Sequence, residues 1–167
     1  MIRRIVVFID HTVVYLCAVQ LIAMLAIIFS QVVLRYVFND PTSWSEELTL
    51  LILIWFGYMS MALGFGHNYH IALHSLTRNL PDAAIRALQI LSDVLILIIA
   101  GMMIHYGGVL VAKTAIQSMP ALGISKAVLY YSLVLSGGLT AFYAGIHLFR
   151  PDAFAGTSII ERLEEPK

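Results

Sequence analysis

Residues 13–34 of the chain read VVYLCAVQLIAMLAIIFSQVVL, a run that contains no Asp, Glu, Lys or Arg. A helix needs about 20 apolar residues to cross the hydrocarbon core of a bilayer, and this run is long enough. Lipid offers the backbone no hydrogen-bond partners, so a spanning segment of this kind must be helical. The run therefore predicts a transmembrane helix and not the core of a soluble domain.

Three further runs of the same character follow at short intervals. Residues 48–66 and 127–149 carry no charged side chain, and neither do residues 94–112. Hydrophobic residues make up 60% of the 167 positions and charged residues only 12%, which is typical of multi-span membrane proteins. We predict an all-α integral membrane domain over residues 1–150, followed by a short tail over 151–167, with spans at about 13–34, 48–66, 90–112 and 127–149.

The distribution of positive charge predicts the orientation of these spans. One side of the membrane receives Arg3, Arg4, Arg78, Arg86, Arg150, Arg162 and Lys167, and the other receives Arg35, Lys113 and Lys126. The positive-inside rule then places both termini and the central loop in the cytoplasm. The 10 positive residues balance 10 negative ones, so the chain lacks the basic field that nucleic-acid binding requires.

The first outer loop holds the densest group of candidate interface residues. Glu46 and Glu47 suit the positive end of the second helix, with Ser43 and Glu46 in the pattern of a capping box. Trp44 suits the aromatic belt at the membrane interface. Besides these structural roles, Arg35 at the outer end of the first helix is expected to pair with Glu46 or Glu47 and to fix the first two helices together or to a partner.

Small residues and one acid at a membrane boundary mark further candidate contacts. Gly137, Ala141 and Gly145 recur every four residues in the fourth span, a spacing that lets another helix approach closely. Asp93 lies near the cytoplasmic start of the third span, where an ionisable side chain is expensive to bury. A structural role for Asp93 and a role in ion or proton handling both remain open at this point.

The histidines raise the question of a metal or haem. His70 and His74 have the helical i, i+4 spacing of a ligand pair, with His67 nearby. Zinc would need further ligands, however, and contacts with lipid headgroups or with a partner would explain these histidines as well. A four-helix cytochrome anchor would need histidines at matched depth on facing helices, and His105 lacks such a partner. The sequence predicts no cofactor, and the cytochrome anchor of an oxidoreductase stays as the alternative function.

Several short motifs, in order along the chain, resemble the small membrane subunit of tripartite ATP-independent periplasmic (TRAP) transporters. They are Arg35 to Phe38, then Trp44, Ser45, Glu46 and Glu47, then Trp55, Gly57 and Ala62, then His70 and Ile71, then Leu80 and Pro81, and finally Leu122 to Ser125 with Tyr130. Each motif alone is weak, but together with four spans they make the resemblance specific.

The resemblance implies a non-catalytic subunit in the cytoplasmic (inner) membrane of a bacterium or archaeon. Its implied partners, besides membrane lipids, are a large multi-span subunit that moves the substrate and a periplasmic substrate-binding protein. Uptake in this family is implied to be driven by sodium and directed at carboxylate-bearing solutes. Arg35, Trp44, Glu46 and Glu47 match the family motif and are the residues expected to fix the scaffold.

Overall fold

The computed structural model describes residues 2–40, 42–67 and 82–149 of the chain. Within these ranges the chain forms four long α-helices: α1 (Ile2–Tyr36), α2 (Ser43–His67), α3 (Asp82–Thr114) and α4 (Ala127–Phe149). All four are long and apolar enough to cross a membrane. The predicted four-helix membrane fold is therefore confirmed, whereas the cytoplasmic placement of the termini stays a prediction and the tail over 151–167 lies outside the described residues.

Two helices are longer than their predicted spans. α1 begins at Ile2 and α3 at Asp82, while the predicted spans begin at residues 13 and 90. The predicted span is the uncharged run that follows Asp10, but Asp10 is only 1% exposed and lies within the helix. A buried contact with α4 accommodates this carboxylate, so the charge does not end the helix.

The four helices form a row in the order α1, α2, α4, α3. The extensive contacts join α1 to α2, α2 to α4, and α4 to α3. α4 thus lies between α2 and α3, although α2 and α3 are neighbours in sequence. We call the end with residues 37–42 and 115–126 the loop end, and the end with the first turns of α1 and α3 and the last turns of α4 the terminal end.

α4 is the central helix, and its side chains explain why. Ser132, Ser136 and Thr140 are fully buried at successive i, i+4 positions, and Ala144 continues the same stripe. Small residues and hydroxyls let helix backbones approach closely in a membrane, where there is no hydrophobic drive for one helix to leave lipid for another. The packing of α4 against both α2 and α3 follows from this pattern.

Candidate functional site

A cluster of buried polar side chains at the terminal end connects α4 to both outer helices. The Tyr143 hydroxyl donates a hydrogen bond to Asp10 Oδ1 on α1. His147 Nδ1 lies 2.8 Å and 3.0 Å from the two carboxylate oxygens of Asp93 on α3. All four residues are at most 8% exposed. The cluster therefore holds α1 and α3 to one helical turn of α4.

The depth of the cluster follows from helix geometry. Asp93 lies 20 residues before Lys113 on α3, which corresponds to about 30 Å of helix axis. This length matches the hydrocarbon thickness of a bilayer. With Lys113 at one membrane boundary, the Asp93–His147 pair lies near the other, and the protein shields it from both lipid and water.

Two hydrogen bonds from side chain to backbone join α2 and α4 inside the spans. Trp55 Nε1 donates to the Val128 carbonyl over 3.0 Å, and the Ser136 hydroxyl donates to the Tyr58 carbonyl over 2.6 Å. The two bonds run in opposite directions between the helices, and their partners lie about two turns apart on α4 and less than one turn apart on α2. They fix the register of α2 and α4 as well as their distance.

At the loop end, Glu47 holds the connection between α3 and α4. Its Oε2 accepts the backbone N–H groups of Ala121 and Leu122, each over 2.9 Å. The connection itself is a small hairpin with a bridge between Ser118 and Ser125, and Gly123 has a φ of +67° that favours glycine. A carboxylate at the start of α2 thereby positions a loop more than 70 residues away in sequence.

The other candidates of the first loop have different surroundings. Glu46 accepts a hydrogen bond from Gln31 Nε2 over 3.1 Å, which joins α2 to α1. Arg35 is exposed, and within the described part of the chain it forms no ion pair with Glu46 or Glu47. Trp44 is 46% exposed at the interface end of α2. At the loop end, the hydrogen bond between α1 and α2 therefore comes from Gln31, a residue that the sequence analysis did not select.

The cap of α2 is displaced by one residue from the predicted box. α2 begins at Ser43, and Thr42 immediately before it lies 2.8 Å from the Ser45 hydroxyl. Ser45 in turn donates to the Thr42 carbonyl over 2.7 Å and is 1% exposed. Because Thr42 and Ser45 close this end of the helix, Glu46 is left to reach Gln31.

The small residues of α4 differ in what they contact. A Cβ at Gly137 would come within 3.0 Å of Ile104 Cγ1 and Met103 Cβ on α3 and 3.2 Å of the Ala100 carbonyl. A Cβ at Gly145 would meet no atom within 4 Å, and Ala141 is half-buried. Of these positions, Gly137 is the one at which the backbone of α4 approaches a neighbouring helix closely.

The described histidines occupy separate environments. His147 is bonded to Asp93, His11 is exposed with Nδ1 2.8 Å from the Val7 carbonyl, and His105 packs edge-on against Tyr106. Residues 2–40, 42–67 and 82–149 contain no group of three metal-binding side chains. His70 and His74 lie outside the described residues.

Sequence reasoning missed the partners of the buried acids. Asp10 was not selected because it precedes the uncharged run. Tyr143 was not recognised as the partner of Asp10, nor His147 as the partner of Asp93. A signal was present: Ser132, Ser136, Thr140, Tyr143 and His147 recur every three or four residues. A polar stripe at this period on an apolar helix predicts a face that turns away from lipid.

Four spans joined by buried contacts define the class of this chain as a multi-span membrane component. The model of the family described as "Tripartite ATP-independent periplasmic transporters, DctQ component" matches residues 24–153. The chain therefore belongs to this family, whose members are small permease components of TRAP transporters.

Individual relatives agree with this assignment. A Haemophilus influenzae protein with the provisional name of a TRAP transporter small permease protein is 28% identical over 84% of this chain and 88% of its own length. The sialic acid TRAP transporter small permease protein SiaQ of Vibrio cholerae is 28% identical over 72% of this chain and 69% of its own. The sialic acid TRAP transporter permease protein SiaT of Haemophilus influenzae is 27% identical over 52% of this chain, but the match covers only 14% of SiaT.

The family places the chain among transporter components and not among known enzymes. The relatives also include a much longer permease, which is consistent with a large membrane partner. Family membership therefore favours the transporter subunit over the cytochrome anchor.

Proposed function

We propose that the chain is the static small subunit of a binding-protein-dependent TRAP transporter in the inner membrane, and that it holds a large transport subunit in place. The observation that carries this proposal is the set of bonds that joins all four helices into one body. Asp10, Asp93, Ser136 and Glu47 each bind a group on a different helix or loop.

These bonds suit a part that stays still while another part moves. A polar group that loses its partner inside a membrane has no water to replace it, so sliding or tilting of one helix against its neighbour is unfavourable. The contacts also lie at the loop end, at the terminal end and between the two. A scaffold needs this distribution, because a body fixed at one end alone could still open like a hinge.

The solute and the energy source are part of the same proposal. Two of the relatives are named for sialic acid, a sugar acid that carries a carboxylate. We propose a carboxylate-bearing solute, delivered by a periplasmic binding protein and taken up with sodium. The residues that recognise the solute would belong to the partner proteins.

Reconstitution tests this function directly. The chain, its large membrane subunit and the binding protein are placed in liposomes, and uptake of labelled sialic acid or a labelled C4-dicarboxylate is measured with an inward sodium gradient. Uptake should require all three proteins and the gradient. Full uptake without this chain would contradict a scaffold role, and equal uptake with a potassium gradient would contradict sodium coupling.

The orientation has a test of its own, which the single cysteine makes simple. In a Cys17→Ala background, Ser118→Cys introduces a thiol in the exposed loop between α3 and α4, and Arg4→Cys introduces one at the exposed start of α1. A membrane-impermeant maleimide added to spheroplasts should label the cysteine at 118 and spare the one at 4. The reverse pattern would overturn the placement of both termini in the cytoplasm.

A further inference from the structure

One face of α1 carries all four aromatic residues of the helix and one isoleucine at intervals of seven residues. Phe8, Tyr15, Ile22, Phe29 and Tyr36 are each between 67% and 79% exposed. Between them lie His11, Ala18, Leu25 and Val32, which are exposed as well. Alternating steps of three and four residues are the pattern of a helix that packs against another helix along its whole length. We call these nine residues the α1 seam.

Helix geometry explains the exposure of the seam but not its residue types. The opposite face, which packs against the rest of the chain, also follows steps of three and four, through Val6, Asp10, Val13, Cys17, Gln20, Met24, Ile27, Gln31 and Leu34. Any helix that buries one face with steps of three and four residues exposes an opposite face with the same steps. Nothing in this geometry requires the aromatic residues of α1, Phe8, Tyr15, Phe29 and Tyr36, to share a single position of the repeat.

Lipid contact alone accounts for only part of this pattern. Aromatic belts place Tyr and Trp at the two membrane interfaces, which suits Tyr36. The seam, however, extends over about 42 Å from Phe8 to Tyr36, whereas lipid tails cover about 30 Å. At least one end of the seam therefore lies beyond the lipid tails, among headgroups, water or a partner.

The exposed face of α3 is the internal comparison. Its large exposed residues are mainly aliphatic, among them Leu91, Leu95, Ile98 and Met102. The same helix exposes Gly101 and Gly108, small residues that would let another helix approach closely, so α3 is the competing surface for a partner. Aromatic side chains are enriched in protein interfaces, which favours α1. The two outer helices of the row thus present different surfaces.

We propose that the α1 seam is the surface on which a helix of the large membrane subunit packs. This inference rests on the proposed function and specifies where the partner binds. The comparison with SiaT favours a large partner over a second copy, because there the matched segment is 14% of one long permease chain. The seven-residue repeat further predicts that the partner helix crosses α1 at about 20°.

Photo-crosslinking from matched positions tests the location. The photoreactive residue p-benzoylphenylalanine replaces Ile22 in the seam or Ile98 on α3; these residues are 67% and 55% exposed. Each variant is expressed with the large subunit and illuminated in the membrane. We expect a product of the summed mass of both subunits from position 22 and none from position 98.

Each other outcome decides against the seam in a distinct way. Products from position 98 alone, with the large subunit still co-purifying, would overturn the seam and leave the proposed function intact. A product of twice the mass of this chain would mean that a second copy covers the seam. Failure of the large subunit to co-purify with the unmodified chain would overturn the proposed function together with the seam.

Truncation of the seam gives a second measurement. Ile22→Ala with Phe29→Ala should lower the yield of co-purified large subunit roughly tenfold, because large anchors carry most interface energy. Leu95→Ala with Ile98→Ala removes side chains of similar exposure from α3 and should leave the yield unchanged. Equal yields from both double variants would contradict the inference, provided that each variant alone elutes from a sizing column like the unmodified chain.

Discussion

α4 and α1 show two opposite ways of being a membrane helix. In the apolar window of α4, 39% of the residues are buried inside the protein, against 11% in that of α1, and the buried residues of α4 include the hydroxyl side chains of Ser132, Ser136 and Thr140. In water, a helix is buried because it is apolar; in lipid, the helix with hydroxyl and small side chains takes the centre. The contrast teaches that α4 determines the fold of this chain, while the surface of α1 is available for a partner.

The largest effect is expected from removing Asp93, the buried side chain on α3 that binds His147 of α4. Asp93→Ala leaves His147 buried without its carboxylate and should lower stability by about 3 kcal/mol, measured as thermal unfolding in mild detergent. Asp40→Ala, at an exposed site, is the matched control and should change little. The double variant Asp93→Ala, His147→Ala should lose less than the sum of the two single losses; additive losses would show that the pair does not act as a unit.

A second test enlarges a side chain at the close approach of α4 and α3. Gly137→Leu forces atoms against Met103, Ile104 and the backbone of Ala100, and should destabilise the chain by about 2 kcal/mol or more. Gly138→Leu places the same side chain one residue away, where nothing lies within 4 Å. The fraction of monodisperse protein after extraction should fall for the first variant only; equal behaviour would mean that α4 and α3 are not in close contact there.

A third test concerns the loop end. Glu47→Ala removes the acceptor of two backbone N–H groups, whereas Glu46→Ala removes one hydrogen bond to Gln31. Glu47→Ala should therefore cost about 1 kcal/mol and Glu46→Ala less, since both sites are partly exposed. Limited proteolysis of the connection over residues 115–126 should accelerate for Glu47→Ala alone. If Glu46→Ala had the larger effect, the assignment of Glu47 as the residue that holds this loop would be wrong.

The smallest expected effect compares two serines that donate to backbone carbonyls. Ser136 donates to Tyr58 on another helix, and Ser30 donates to Ala26 of its own helix. Ser136→Ala should reduce stability by about 0.6 kcal/mol, the average for inter-helix hydrogen bonds in membranes. Ser30→Ala should be neutral or slightly stabilising. Equal unfolding temperatures for the two variants would mean that the hydrogen bond from Ser136 to Tyr58 does not stabilise the packing of α2 and α4.

Most of the helix assignment could be predicted from the sequence. The bounds of α4 agree with the predicted span over 127–149, and α2 extends the predicted 48–66 by a few residues at its start. A long uncharged run that crosses lipid must form a helix, so the helices can be assigned without tertiary information. The uncharged run did not indicate where α1 begins, because the helix continues through Asp10 to Ile2 and α4 supplies a partner for that side chain.

The contacts of the candidate residues were less predictable. Arg35 was expected to reach Glu46 or Glu47, yet Gln31 binds Glu46 and backbone groups of a distant loop bind Glu47. Charge signs alone do not say which side chain lies within reach, because Arg35 precedes the turn at Asn39, whose φ of 58° redirects the chain. Gly137 and Gly145 share one repeat, but only the position facing α3 is crowded.

The sequence by itself determined that this chain is a membrane protein with four spans, and that its motifs are those of a small TRAP permease component. Tertiary structure alone decided that α4 lies between α2 and α3, that Asp10 meets Tyr143 and Asp93 meets His147, and that the aromatic face of α1 is left uncovered. The physical reason is that apolarity reports contact with lipid residue by residue, whereas the choice of neighbour depends on polar and small side chains whose partners lie far away in the chain.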